Sequence, residues 1–184
     1  WSIVGAPNGT SITTPGSAVS GVTGLNAGFS VTLRWSITNG VCAASTDDVV
    51  LTNYALPPVA AAGGDLTQCN TSTFTMAANS ALPGVGTWTL VAGAATITNI
   101  NSSTTTVTGV VAGTSATLRW TITNGVCAAT QDDIVLTNDL LPTVSNAGPD
   151  QANCNNGSFT LAGNPPGVGS GVWSIVGAPN GTSI

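Results

Sequence analysis

The stretch "LRWTITNGVCAATQDDIVLTN", Leu118–Asn138, decides the fold. Leu118, Trp120 and Ile122 alternate with Arg119 and Thr121, a period of two that puts the apolar side chains on one face of a strand. Asn124 and Gly125 interrupt the pattern, and Asn-Gly is the dipeptide that most readily takes the positive φ values of a type I′ hairpin turn. The apolar character resumes in the strand that ends at Thr137. The sequence therefore predicts an antiparallel hairpin with one buried face.

The same phrase occurs upstream as "LRWSITNGVCAASTDDVVLTN", Leu33–Asn53. Trp35 and Trp120, Cys42 and Cys127, Cys69 and Cys154, and Trp88 and Trp173 are each 85 residues apart, whereas Trp1 and Trp88 are 87 apart. The first twelve residues, "WSIVGAPNGTSI", return unchanged as Trp173–Ile184. Such self-similarity marks tandem repeats. The proline-bearing stretches "NYALPPVA" and "NDLLPTVS" break the strand patterns at equivalent points and read as linkers. The expected organisation is the C-terminal part of one repeat in residues 1–56, a complete repeat in 57–141 and the N-terminal part of the next in 142–184. Joining 142–172 to 1–56 makes one whole repeat, so the chain spans a two-repeat period and a twelve-residue overlap.

Within residues 57–141 seven short strands are expected, near Val59–Gln68 (broken at "GGD"), Thr73–Ala78, Thr87–Val91, Ala95–Asn99, Thr104–Thr108, Ala116–Thr123 and Val126–Thr137. Seven strands separated by Gly, Asn and Pro signals point to an all-β fold, an antiparallel seven-stranded β-sandwich repeated about every 85 residues. Trp35, Trp88, Trp120 and Trp173 are the expected core aromatics, with Trp88 and Trp120 facing each other across the two sheets.

Composition narrows the function. Of 184 residues only Arg34, Arg119 and seven Asp are charged, with a net charge of −5. Two arginines cannot neutralise a phosphate backbone, which argues against nucleic acid as a partner. With no His, Lys or Glu there is no set of acid and base groups for catalysis, so an enzyme is not expected. Apolar content of 42% and five Trp argue against disorder. No apolar run reaches the ~20 residues needed to span a bilayer. No cofactor is expected.

The aspartate pairs Asp47–Asp48 and Asp132–Asp133 are candidate calcium ligands, with Asp65 or Asp150 converging on them, because carboxylates and loop carbonyls are the ligands calcium takes. No known calcium-loop spacing accompanies them. The alternative, which the sequence favours, is cross-strand ion pairing of Arg34 with Asp47 or Asp48 and of Arg119 with Asp132 or Asp133, with Asp48 and Asp133 taken as the partners.

The phrases "NAGPDQANC", "SFTLAG", "GTWTL", "TLRWTITNGVC" and "DDIVLTN" resemble the PKD-like and immunoglobulin-like tandem repeats of giant cell-surface adhesins from Bacteroidota, the SprB-type gliding adhesins among them. The likeness covers the whole chain. It implies an extracellular, cell-surface filament exported by type IX secretion, acting in surface adhesion and gliding motility. The partners it implies are neighbouring repeats. A glycan- or calcium-binding sandwich, with a surface polysaccharide as ligand, and a fibre subunit assembled by strand exchange are the other two classes to weigh.

In a secreted chain, the regular cysteines Cys42, Cys69, Cys127 and Cys154 read as disulfide partners. The link within one repeat is Cys69 with Cys127, but the expected strands put these at opposite poles, ~30 Å apart, against a limit of ~7 Å between bridged Cα atoms. The favoured alternative joins the cysteine before strand two of one repeat to the hairpin cysteine of the next.

Overall fold

The structure, a computed structural model, describes residues 1–177. The last seven residues, which belong to the expected third unit and repeat residues 6–12, lie outside the described residues. Before the first proline stretch come β1 (Ser2–Val4), β2 (Ser11–Ile12), β3 (Val22–Thr23), β4 (Phe29–Ile37) and β5 (Ser45–Asn53). After it come β6 (Leu66–Cys69), β7 (Phe74–Thr75), β8 (Val85–Ala92), β9 (Thr96–Ile97), β10 (Thr106–Thr108), β11 (Thr114–Thr123) and β12 (Thr130–Asp139). No helix among the described residues is long and apolar enough to cross a membrane.

Strands β6 to β12 build one closed β-sandwich. A four-stranded sheet in the order β6-β12-β11-β8 faces a three-stranded sheet in the order β7-β10-β9. Period-two alternation does the work: Ala116, Leu118, Trp120 and Ile122 of β11 and Ile134 and Leu136 of β12 point inward. They join Phe74, Met76, Trp88, Val107 and Val110 in one buried cluster.

Several expectations change at this level. The sandwich is not antiparallel throughout, because β6 pairs parallel to β12, with Leu136 opposite Leu66 and Asp139 opposite Cys69. The reason is the direction of entry: the chain comes in beside the β11–β12 turn and must run the same way as β12. Trp88 and Trp120 do not face each other across the two sheets. They are direct neighbours on β8 and β11 of one sheet, with ring centroids 5.1 Å apart. The expected first strand from Val59 shrinks to Leu66–Cys69, since the backbone of residues 60–62 bonds to side chains instead. The β11–β12 turn runs from Asn124 to Ala129, with positive φ at Gly125 and not at Asn124. A type I′ turn needs positive φ at both central residues, so the turn takes another form.

The flanking parts are open. Strands β1, β4 and β5 form a three-stranded sheet, and β2 pairs with β3. Counting by the repeat, these are the equivalents of β8-β11-β12 and β9-β10; among the described residues no strand stands in the places of β6 and β7. Residues 142–177 contain no strand. Of the four expected core tryptophans, Trp88 and Trp120 are each 1% exposed, Trp35 is half-buried and Trp173 is 43% exposed. Trp173 is open because no strand like β11 or β12 packs against it among the described residues.

Candidate functional site

The most elaborated polar contacts lie where residues 54–65 meet the central sandwich. Gly125 adopts a left-handed φ of 55°, and a Cβ there would fall 2.5 Å from the Tyr54 ring, so the ring packs against bare backbone. The Asn124 side-chain amide donates to the Ala55 carbonyl at 2.8 Å. The Cys127 Sγ lies 3.5 Å from the Ala55 carbonyl oxygen and 3.8 Å from that of Tyr54. Farther along, the Thr130 hydroxyl donates to the Pro58 carbonyl at 2.7 Å and accepts from the Ala60 N–H at 3.1 Å. The Asp132 carboxylate accepts from the Ala62 N–H at 2.7 Å, and Asp65 accepts from the Val135 N–H at 2.8 Å. These bonds fasten the linker along β12 and satisfy backbone groups that no sheet ladder reaches.

The far end of β12 carries the complementary half of such a joint. Asp139 and Leu140 are the repeat equivalents of Tyr54 and Ala55. Cys69 stands directly opposite Asp139, and the Asn70 N–H donates to the Asp139 carbonyl at 2.8 Å. Cys127 and Cys69 thus sit at opposite poles, separated by the ten residues of β12, roughly 30 Å. A bond between them is excluded, since bridged Cα atoms lie within about 7 Å. All four cysteines are free, with Cys127 half-buried and Cys42, Cys69 and Cys154 exposed.

The charged residues sort by face. Arg119 holds Asp133 through two bonds, Nε to Oδ1 at 2.7 Å and a terminal nitrogen to Oδ2 at 2.8 Å. Arg34 holds Asp48 in the same way at 2.7 and 2.9 Å. Hydrogen bonding to the guanidinium holds both carboxyls below the usual carboxylate range, and the same bonds push both guanidiniums up. Adjacent strand residues point to opposite faces, so Asp132 turns toward Ala62 while Asp133 turns toward Arg119. The structure does not bring Asp47, Asp48, Asp65, Asp132, Asp133 and Asp150 together, and no group of three metal-ligating side chains occurs among the described residues.

Sequence reasoning did not identify Tyr54, Asn124, Gly125, Thr130 or Asp132 as joint residues. The available signal is the Asn-Gly dipeptide, which by itself marks only a turn.

No family model and no curated protein matches this sequence. Among solved structures, the solution structure of the PKD domain from the KIAA 1837 protein is similar to part of the chain. The TM-score is 0.39 and the identity 19%, covering 50% of this chain and 92% of that one. The fold assignment rests on the strands themselves.

Proposed function

We propose that the chain is a structural segment of a long extracellular filament, in which β-sandwich repeats are joined end to end and stapled at their joints by disulfides. One observation carries this reading: the carbonyls of Tyr54 and Ala55 lie against Cys127, while Asp139, the repeat equivalent of Tyr54, pairs with Cys69. Cys127 touches carbonyl oxygens, so the exchange of Tyr54 for Asp139 between repeats does not alter the seat. Both cysteines of a joint thus lie against the same linker position, Cys69 as the parallel neighbour of Asp139 and Cys127 against the carbonyl of Tyr54, which supports pairing of the β6 cysteine of one repeat with the hairpin cysteine of the next.

On this reading the segment is non-catalytic, and its product is length and stiffness. The oxidising exterior is where such bonds persist. The resemblance of the repeat phrases supports a cell-surface adhesin shaft serving adhesion and gliding. Calcium binding gains no support from the aspartates: Asp48 and Asp133 are engaged with arginines, Asp65 and Asp132 with backbone N–H groups.

The test is a chain continued past Ile184 by its own residues 13–141 and treated with glutathione disulfide. Each pair of protein thiols passes two electrons and two protons to the reagent, leaving one protein disulfide and two glutathione thiols. Non-reducing peptide mapping is expected to join Cys69 to the appended copy of Cys42, and Cys154 to that of Cys127. A Cys69–Cys127 link within one repeat, or no link at all, would sink the stapled rod.

A further inference from the structure

Two hairpins of the chain carry the same residues: Thr38–Ala44 and Thr123–Ala129 both read Thr-Asn-Gly-Val-Cys-Ala-Ala. They also fold alike. Gly40 and Gly125 have φ of 54° and 55°, and the Cys42 and Cys127 N–H groups donate to the Asn39 and Asn124 carbonyls, both at 3.1 Å. What differs is cover. The Asn124 side chain is half-buried and its amide donates to the Ala55 carbonyl at 2.8 Å, beneath a linker whose Tyr54 ring rests on Gly125. Asn39 and Gly40 are exposed, and a Cβ on Gly40 would meet nothing within 4 Å.

An asparagine followed by glycine is a step at which the backbone can attack its own side chain, because glycine puts no Cβ in the way of its nitrogen. The glycine nitrogen bonds to the asparagine Cγ, Nδ2 leaves as ammonia with the proton that the glycine nitrogen gives up, and a five-membered succinimide ring is left. Water then opens one of the two ring C–N bonds. Opening at Cγ gives aspartate, and opening at the main-chain carbonyl carbon gives isoaspartate. In sum, one amide and one water become one carboxyl group and one ammonia, so the reaction needs no reagent beyond water.

We propose that Asn124 is a site of spontaneous deamidation governed by the joint: the seated linker suppresses the reaction, and the reaction, once it has occurred, unseats the linker. Attack requires the Asn124 Cγ to swing over the Gly125 nitrogen and the turn to leave its present shape. Seated, the amide is tied to the Ala55 carbonyl and the Tyr54 ring covers Gly125. Only molecules with the joint open react.

The product cannot rebuild the contact. The Asn124 amide is the donor in its bond to Ala55, whereas a carboxylate has only acceptors to offer and would face another oxygen. Isoaspartate also lengthens the main chain by one carbon, which moves Gly125 from under the Tyr54 ring. The bonds of Thr130 to Pro58 and of Asp132 to Ala62 involve neither residue of the pair, so the release is confined to residues 54–55. The proposal stands on this contact alone and holds whether or not the cysteines pair.

Its first half is tested on the unaltered 184-residue chain and on Tyr54→Ala, both fully reduced, held at mildly alkaline pH and peptide-mapped by mass spectrometry over time. Asn39, with the same neighbours in the same molecule, reports the uncovered rate. Asn124 is expected to convert more slowly than Asn39 by about fivefold or more, the factor set by one hydrogen bond's net contribution. Tyr54→Ala is expected to raise the Asn124 rate toward that of Asn39 and leave Asn39 unchanged. Tyr54 is 41% exposed and lies outside the buried cluster, so the sandwich is expected to fold without its ring. Equal rates at the two asparagines of the unaltered chain, or an Asn124 rate indifferent to Tyr54→Ala, would overturn suppression. The second half is read by NMR, in which the current of the Tyr54 ring shifts the Gly125 Hα signals upfield. Asn124→Asp is expected to abolish that shift, as Tyr54→Ala does, and Asn39→Asp to preserve it. A shift that survives Asn124→Asp, or one lost in Asn39→Asp as well, would overturn the unseating.

Discussion

Leu33–Asn53 and Leu118–Asn138 differ at only four of 21 positions, yet one lies in an open sheet and the other in a closed core. Their ladders are the same: Leu33 pairs with Val49 and Arg34 with Asp48, as Leu118 pairs with Ile134 and Arg119 with Asp133. Their burial is not. Ile122 is 0% exposed and Ile37 59%. Pairing of two strands across a short turn is local and needs only those strands. Burial of the face they share needs a second layer, and among the described residues no strand equivalent to β6 or β7 packs on the first copy. The difference separates what a hairpin forms alone from what a second layer adds.

The largest expected effect is in the core. Phe74→Ala should cost about 3–5 kcal/mol, the usual loss for a buried phenylalanine, read by denaturant unfolding with tryptophan fluorescence. Phe159→Ala, at the equivalent position but 48% exposed, should change the monomer's stability by less than about 0.5 kcal/mol. Equal losses at both sites would mean that residues 142–177 are packed in solution, and the comparison would break.

Gly86→Ala comes next. Its methyl would meet the Trp120 ring, an overpacking penalty of about 1–3 kcal/mol, visible as a lower midpoint and an altered tryptophan emission. Gly171→Ala should leave stability unchanged by the same measurement, because a methyl there meets open space.

Asp132→Ala removes the acceptor of the buried Ala62 N–H. A buried donor left unpaired costs about 1–3 kcal/mol, and the same denaturant titration measures it. Asp47→Ala should be silent in the monomer, because its carboxylate has no such donor to hold.

The smallest effect should be shared by both regions. Asp48 and Asp133 bind protons less readily folded than unfolded, so each ion pair contributes its full stability above the ordinary carboxylate range near pH 4. That contribution is lost as pH falls through the lowered folded values. Asp133→Asn and Asp48→Asn should therefore each flatten the acid limb of stability against pH, and to similar degrees. Added salt should reduce the difference, since all four side chains are partly open to solvent.

Much of this was legible in the residues. Seven strands in the complete repeat followed from alternation and turn residues, because strand patterning is written every second position. The arginine and aspartate that pair across β11 and β12 were legible for the same reason. The joint was not. Tyr54 and Gly125 lie 71 residues apart, and no local pattern says that a ring rests on a glycine so distant in sequence.

By itself the sequence determined the repeat, its 85-residue spacing, the strands and their inward faces, since these depend on side-chain alternation and short-range turns. Only the tertiary structure decided that β6 runs parallel to β12, that Trp88 and Trp120 share a sheet, and that the Tyr54 ring rests on Gly125. Those properties depend on the direction in which the chain enters the sheet and on which layer covers which. Both are set by contacts between residues far apart in sequence.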